Sequence, residues 1–292
     1  MMSGSKNKGK AMTDQTATTQ TATARTRTVQ LPGELSVTVT ESGEADGSGR
    51  GVLLLHGGAG PRTVAGLAAA LSEHVYVVAP THPGFDGTPR PESFDSVADL
   101  AVGYLDLLEA LGLREVMVIG NSVGGWIAGE MALRDNHGLI GALVLLNAVG
   151  IHAYRPENQV VAPGTVPPAE FGKLSFAQER FRPDFASFTE EQRAAMAANQ
   201  RTLAVYGGEH FSHDPKLRGR LHRLTLPVLV VWGEQDGIAP LGYGRGYAQA
   251  FPNGRFVTVP DAAHFPHIEQ PGAVLEAIGT FADEVGKPGD AG

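Results

Sequence analysis

The segment Gly120-Asn121-Ser122-Val123-Gly124 constrains this chain more than any other. An apolar run, Glu115-Val116-Met117-Val118-Ile119, leads into it, and a helix is expected to begin near Val123. A strand that becomes a helix so abruptly passes through a sharp turn, and the flanking glycines let neighbouring backbone pass close beneath Ser122. The serine hydroxyl is then lifted clear of the sheet, which makes it a candidate nucleophile. The pattern alone is weak: with 38 glycines in 292 residues, chance supplies about 0.2 matches to G-x-S-x-G. The rest of the chain must carry the reading.

Three other strand ends do so. Val52-Leu53-Leu54-Leu55 empties into His56-Gly57-Gly58-Ala59-Gly60, a loop whose glycines can aim backbone N–H groups at an oxyanion, with Gly58 the candidate donor. Val228-Leu229-Val230-Val231-Trp232 is a second buried strand, followed by Gly233-Glu234-Gln235-Asp236-Gly237, which places Asp236 to orient a base. Arg255 to Pro260 is strand-like by its β-branched content, and the loop after it, Asp261-Ala262-Ala263-His264, presents His264 as that base.

Ser122, Asp236 and His264, each after its own strand and in that chain order, resemble the α/β-hydrolase superfamily from about Val29 to about Val285. The resemblance implies a mostly parallel sheet flanked by helices, with Ser122 as nucleophile, His264 as proton carrier and Asp236 holding the imidazole tautomer. It implies an oxyanion hole from the backbone N–H groups of Gly58 and Val123. Val123 also opens a helix, so its N–H and the helix dipole favour negative charge there.

Composition agrees with an enzyme of this kind. Hydrophobic residues make up 42% and charged residues 18%, enough apolar material for a large core. The formal net charge of −8 and the lack of a one-sided basic stripe argue against a nucleic-acid partner. The absence of cysteine excludes disulfides, thiol catalysis and zinc–thiolate sites. Apolar runs are only strand-length and the N-terminus lacks the apolar stretch of a secretory signal, so neither a membrane span nor export is expected and the cytoplasm is the default location. No metal or cofactor is expected; the partner is a small-molecule substrate, and a homo-oligomer is compatible with all of this.

Residues 1–26 are small, polar and rich in threonine, and read as a disordered tail, with order beginning near Thr28. A hairpin follows around Pro32-Gly33, and strands and helices then alternate through residue 147, which implies right-handed parallel crossovers. Regular alternation stops after the sixth strand and resumes at Pro227. The core is thus expected over 27–147 and 227–286, with residues 148–226 forming a helical cap, helical from the capping box Thr189-x-x-Gln192 onward. By resemblance this insertion roofs the site. It holds Tyr154, Phe171, Phe176, Phe181, Phe185, Phe188, Tyr206 and Phe211, which must pack the insertion onto the core and can also face an apolar substrate.

Other features have simpler readings. His210-Phe211-Ser212-His213-Asp214 lacks the spacing of a metal-ligand set; His56 is expected to order the oxyanion loop; His82 and His267 are expected to be structural or solvent-facing. Glu234 is the alternative acid, expected to face away. A serine at the elbow separates the chain from the aspartate-bearing dehalogenases and epoxide hydrolases of this fold. The form Gly120 to Gly125 is similar to the meta-cleavage-product hydrolases, which cut carbon–carbon bonds, but Phe265 stands where those commonly carry tryptophan. Their acidic substrates need a fixed cation, for which Arg155, Arg180, Arg182, Arg193 and Arg201 are the candidates within the insertion. The resulting reading is a serine hydrolase of a small, mainly apolar ester or lactone, with a carbon–carbon hydrolase or a ligand-binding protein on the same scaffold as alternatives.

Overall fold

The computed structural model describes residues 24–286. The strands are β1 (Arg25–Gln30), β2 (Ser36–Ser42), β3 (Val52–Leu55), β4 (Val77–Pro80), β5 (Val116–Asn121), β6 (Ile140–Leu146), β7 (Val228–Gly233) and β8 (Gly254–Val259). They form one sheet in the order β1-β2-β4-β3-β5-β6-β7-β8. The β1–β2 hairpin and the β2–β4 pair are antiparallel, and every other pair is parallel. The helices are α1 (Ala65–Leu71), α2 (Val97–Ala110), α3 (Val123–Arg134), α4 (Pro168–Ser175), α5 (Glu190–Gly207), α6 (Leu241–Ala248), α7 (Pro266–Glu269) and α8 (Pro271–Val285).

Near-continuous apolar strands are what a sheet covered on both faces requires, and side-chain alternation divides them between two cores. Leu53 and Leu55 of β3 point into one with Val118, Leu143, Val230 and the apolar faces of α2, α3 and α6. Leu54 points into the other with Ile119, Val144, Val231 and the faces of α1 and α8. The helix over 97–110 begins at a full capping box, Ser96 with Asp99, and ends as expected before Gly112 at φ 67°.

The strand order starts earlier than the sequence suggests. β1 begins at Arg25, so Arg25 and Thr26, assigned to the tail, belong to the sheet. Cross-strand pairs explain it: Arg27 reaches the Glu41 carboxylate through two N–H groups at 2.8 and 2.9 Å, and the Thr26 and Thr40 hydroxyls meet at 3.2 Å. The rest of that expected tail lies outside the described residues.

Between β6 and β7 the chain carries α4, α5 and short 3-10 turns. The capping box expected at the start of α5 is present, with the Thr189 and Gln192 side chains bonded to each other's backbone N–H. This segment is tied to the core at several points, among them Gln178 to Glu269 and Asp261 and Val161 to Ile238. Asn199 and Asp86 bond twice, at 2.7 and 2.9 Å, the Thr202 hydroxyl donates to the Gly84 carbonyl, and the Tyr206 hydroxyl to that of Pro83. At the other side the N–H groups of Gly237 and His264 donate to the carbonyls of Leu174 and Ser175, both at 3.0 Å. No described helix is long and apolar enough to cross a membrane.

Candidate active site

Ser122 occupies the corner between β5 and α3 at φ 55° and ψ −118°, a conformation side chains rarely adopt. The surroundings over-determine it. Its N–H donates to the Leu146 carbonyl at 3.0 Å, and its own carbonyl accepts from Gly125 at 3.0 Å and Val149 at 3.1 Å. Gly120 and Gly124 are required by proximity rather than by dihedral angle: a Cβ on Gly120 would collide with the Gly124 carbonyl, and one on Gly124 with the carbonyl of Leu55.

The fold brings the three sequence-distant residues together. His264 Nε2 lies 3.0 Å from Ser122 Oγ, and His264 Nδ1 lies 2.9 Å from Asp236 Oδ2. With Nδ1–H donating to the carboxylate, Nε2 keeps a lone pair aimed at the serine hydroxyl. Asp236 is fixed on its other side: Oδ1 accepts the N–H groups of Ile238 and Ala239 at 2.8 and 3.0 Å. Glu234 takes no part. It is exposed on the sheet edge and accepts from the Thr258 hydroxyl at 2.8 Å.

Asn147, which the sequence did not single out, completes the support. It is fully buried at φ 44°, its amide donates to Asp236 Oδ2 at 2.6 Å and to the Ala263 carbonyl at 3.2 Å, and its Oδ1 accepts from Gly233 N–H at 3.1 Å. One side chain therefore ties the end of β6 to the loops carrying both the acid and the histidine. An asparagine just past a strand reads as a turn residue, so the only signal was its position at the end of a buried strand beside two others.

Gly58 and Val123 both face the space in front of Ser122. A Cβ on Gly58 would sit 2.5 Å from Leu203 Cδ2 of α5, so this glycine lets the insertion close down on the loop. Behind the loop lie two buried histidines. His56 Nδ1 donates to the Gly57 carbonyl at 2.7 Å while its Nε2 accepts the His82 N–H at 3.0 Å; His82 Nε2 donates to the His56 carbonyl at 2.9 Å, and its Nδ1 accepts the Tyr104 hydroxyl at 2.5 Å. Each ring thus uses one nitrogen as donor and the other as acceptor, and both are neutral. Burial pushes His56 down to about 4 and His82 well below the usual range. His267 is likewise buried, bonded through Nε2 to the Thr63 carbonyl at 3.0 Å, and burial lowers it to about 4.

A cavity of about 950 Å³ opens above the serine, floored by Ser122, Gly58, Val123 and His264. Its walls come largely from residues 160–212. Of the insertion aromatics, Phe171, Phe176, Phe185, Phe188 and Phe211 line it, whereas Tyr154 is exposed and the Tyr206 hydroxyl turns to the core. Phe265 stacks on Phe176 at 4.9 Å between ring centroids. None of the five arginines proposed as anchors reaches the cavity: Arg182 and Arg193 donate to backbone carbonyls of their own segment, and the cation on the wall is Arg62, from the loop after β3. His210 and His213 stack on each other, and among the described residues no group of three or more His, Cys, Asp or Glu is arranged to hold a metal.

Residues 52–277 match the model of the alpha/beta hydrolase family. The chain is 26% identical over 246 residues to the pimeloyl-[acyl-carrier protein] methyl ester esterase of Aromatoleum aromaticum, covering 75% of this chain and 93% of that one. It is 27% identical over 257 residues to the 2-hydroxymuconate semialdehyde hydrolase of Pseudomonas putida, covering 82% and 89%. In structure it is similar to a thermophilic esterase from Thermogutta terrifontis, with TM-score 0.70 and 23% identity over 90% of this chain and all of that one.

Proposed function

The chain belongs to the alpha/beta hydrolase family, and from that premise we propose that it is a serine hydrolase of small, mainly apolar carboxylic esters or lactones. The observation that carries this is the hydrogen-bonded series Ser122–His264–Asp236 opening onto an apolar cavity. Ser122 Oγ attacks the acyl carbon as its proton passes to His264 Nε2. Asp236, held by Asn147 and two backbone N–H groups, keeps the imidazole in the Nδ1–H form and stabilises the imidazolium. The oxyanion is received by the N–H groups of Gly58 and Val123, the latter at the start of α3. The alcohol leaves with the His264 proton, and water then cleaves the acyl-enzyme by the same route. Residues 148–226 act as the cap, and their phenylalanines take up the apolar part of the substrate and exclude water.

A second reading is favoured by the similarity to the 2-hydroxymuconate semialdehyde hydrolase: cleavage of a carbon–carbon bond beside a ketone. It needs a cation for the substrate carboxylate; the insertion offers none to the cavity, and Arg62, from the loop after β3, is the cation on its wall. Comparing kcat/KM for a short aryl ester and for a vinylogous 1,5-diketone acid, with Ser122→Ala as blank, tests the choice. The ester should be favoured at least about tenfold, or ~1.4 kcal/mol. Faster diketone cleavage would transfer the assignment to the second reading, and a single burst with no steady turnover on either would indicate a ligand-binding protein.

A further inference from the structure

A second cavity, of about 340 Å³, lies apart from the one above Ser122 and shares no residue with it. Its walls are the segment Ile151–Asn158 that leaves β6, the Arg218 loop, and one face of α6. The wall is firmly built: the Tyr243 hydroxyl accepts the Ile151 N–H at 3.0 Å and donates to the Ile151 carbonyl at 2.8 Å. On α6, Gly242 and Gly246 stand one turn apart and present bare backbone. A Cβ at 242 would collide with the Asn158 amide, whereas one at 246 would only touch Arg218 Nη1 at 3.4 Å. Gly242 therefore keeps room for the Asn158 side chain along the floor.

Three arginines, half-buried Arg218 and exposed Arg155 and Arg245, line this space, with His152 beside them and no carboxylate on the lining. The chain as a whole has 31 acidic against 23 basic residues, so the local balance runs against the global one. Arg218 lies over the Tyr154 ring with Cζ at 5.0 Å from the centroid, and Arg245 over Phe256 at 5.1 Å. Stacking on an aromatic face holds a guanidinium's orientation without using its N–H donors. Neither has an ion pair with a described residue, and Arg155 has only a long one, 3.8 Å to Glu157. Nearby, His152 Nδ1 meets His213 Nε2 at 3.1 Å, and Arg220 is paired with Asp214 at 3.1 Å outside the lining.

Like charges gathered in a concave site repel unless an anion of matching charge neutralises them, and planar guanidinium forks match the oxygens of phosphates. We propose that this cavity is a second binding site, taking a small, multiply charged phosphoryl compound such as a diphosphate or a phosphorylated metabolite. It does not rest on the catalytic reading, because no residue is common to the two cavities.

The test is calorimetric titration of the full chain with inorganic pyrophosphate at low ionic strength, with vesicles of phosphatidylglycerol as a second arm. Pyrophosphate should bind one per chain with sub-millimolar affinity and weaken as salt rises toward about 0.3 M. The double variant Arg218→Gln/Arg245→Gln should lose at least about tenfold in affinity while ester turnover at Ser122 stays unchanged. Because half-buried Arg218 also packs on Tyr154, Arg155→Glu serves as an independent variant: its side chain is 75% exposed, and it too should weaken binding severalfold. No binding by the unaltered chain, binding that both variants retain, or capture by vesicles without a pyrophosphate signal overturns the proposal.

Discussion

The sheet and the insertion between β6 and β7 hold their important side chains by different means. Ser122, Asn147 and Asp236 sit just past β5, β6 and β7, strands that are almost wholly buried, His264 follows the edge strand β8, and hydrogen bonds among the strand ends and their loops hold all four. The cavity wall is carried instead by α4 and α5, whose buried positions are few and whose ties to the core are a handful of bonds, among them Asn199 to Asp86 and Ser175 to His264. Rigid strands can set distances to a fraction of an ångström, which proton transfer needs. Apolar walls need only the right volume. Substitutions in the sheet should therefore act on kcat, and substitutions in the insertion on KM.

The largest expected effect is at Ser122. Ser122→Ala should fold normally, lose labelling by a fluorophosphonate probe, and drop kcat by up to about 10⁶-fold, since triad members act as a unit. Labelling of a different serine, located by mass spectrometry, would break the assignment. Next is Asp236→Asn, which should lower kcat by about 10⁴-fold through the wrong imidazole tautomer, while Glu234→Gln leaves it nearly unchanged. The reverse pair of results would move the acid's role along the loop.

The third expectation concerns stability and separates the interior of the sheet from the insertion. His56 and His267 have folded values of about 4, below the ordinary 6.5, so the unfolded chain binds more protons between those pH values. Their contribution is complete above about pH 6.5 and is lost as pH falls toward 4, by about 3 kcal/mol for each group. His82 adds in the same direction. Urea midpoints measured from pH 7.5 to 4.5 should fall steeply below 6.5, and a flat profile would show that these rings are not held neutral. The smallest effect belongs to the wall: Phe188→Ala should raise KM for an aryl ester about three- to tenfold with kcat within about twofold. A comparable loss in kcat would erase the contrast between the two regions.

The same contrast explains what could be read in the sequence. Strand positions were legible because Val228 to Trp232 and Val116 to Ile119 are apolar runs of strand length bounded by glycine or polar residues. The candidate site followed, because each of its members sits just past such a run. Asn147 escaped because what it does depends on Asp236, 89 residues away. The arginines of the insertion could be named only as candidates for a related reason: sequence does not say which side chains of the insertion turn inward, and Arg193 folds back onto Phe188 while Arg62, outside the insertion, reaches the cavity. β1 was read short because Arg25 and Thr26 look like tail until Glu41 and Thr40 are set opposite them.

The hydrogen bond between Ser122 and His264 closes a span of 142 residues. At about 5–20 residues per second, a ribosome takes roughly seven to thirty seconds to travel between the two codons. During that interval the nascent chain can complete β5 and the elbow, while His264, the base in the proposed reaction, has not been made. His264 follows β8, which pairs with β7 as β7 pairs with β6. In the proposed reaction, ester hydrolysis therefore reports that β8 and the loop carrying His264 are in place.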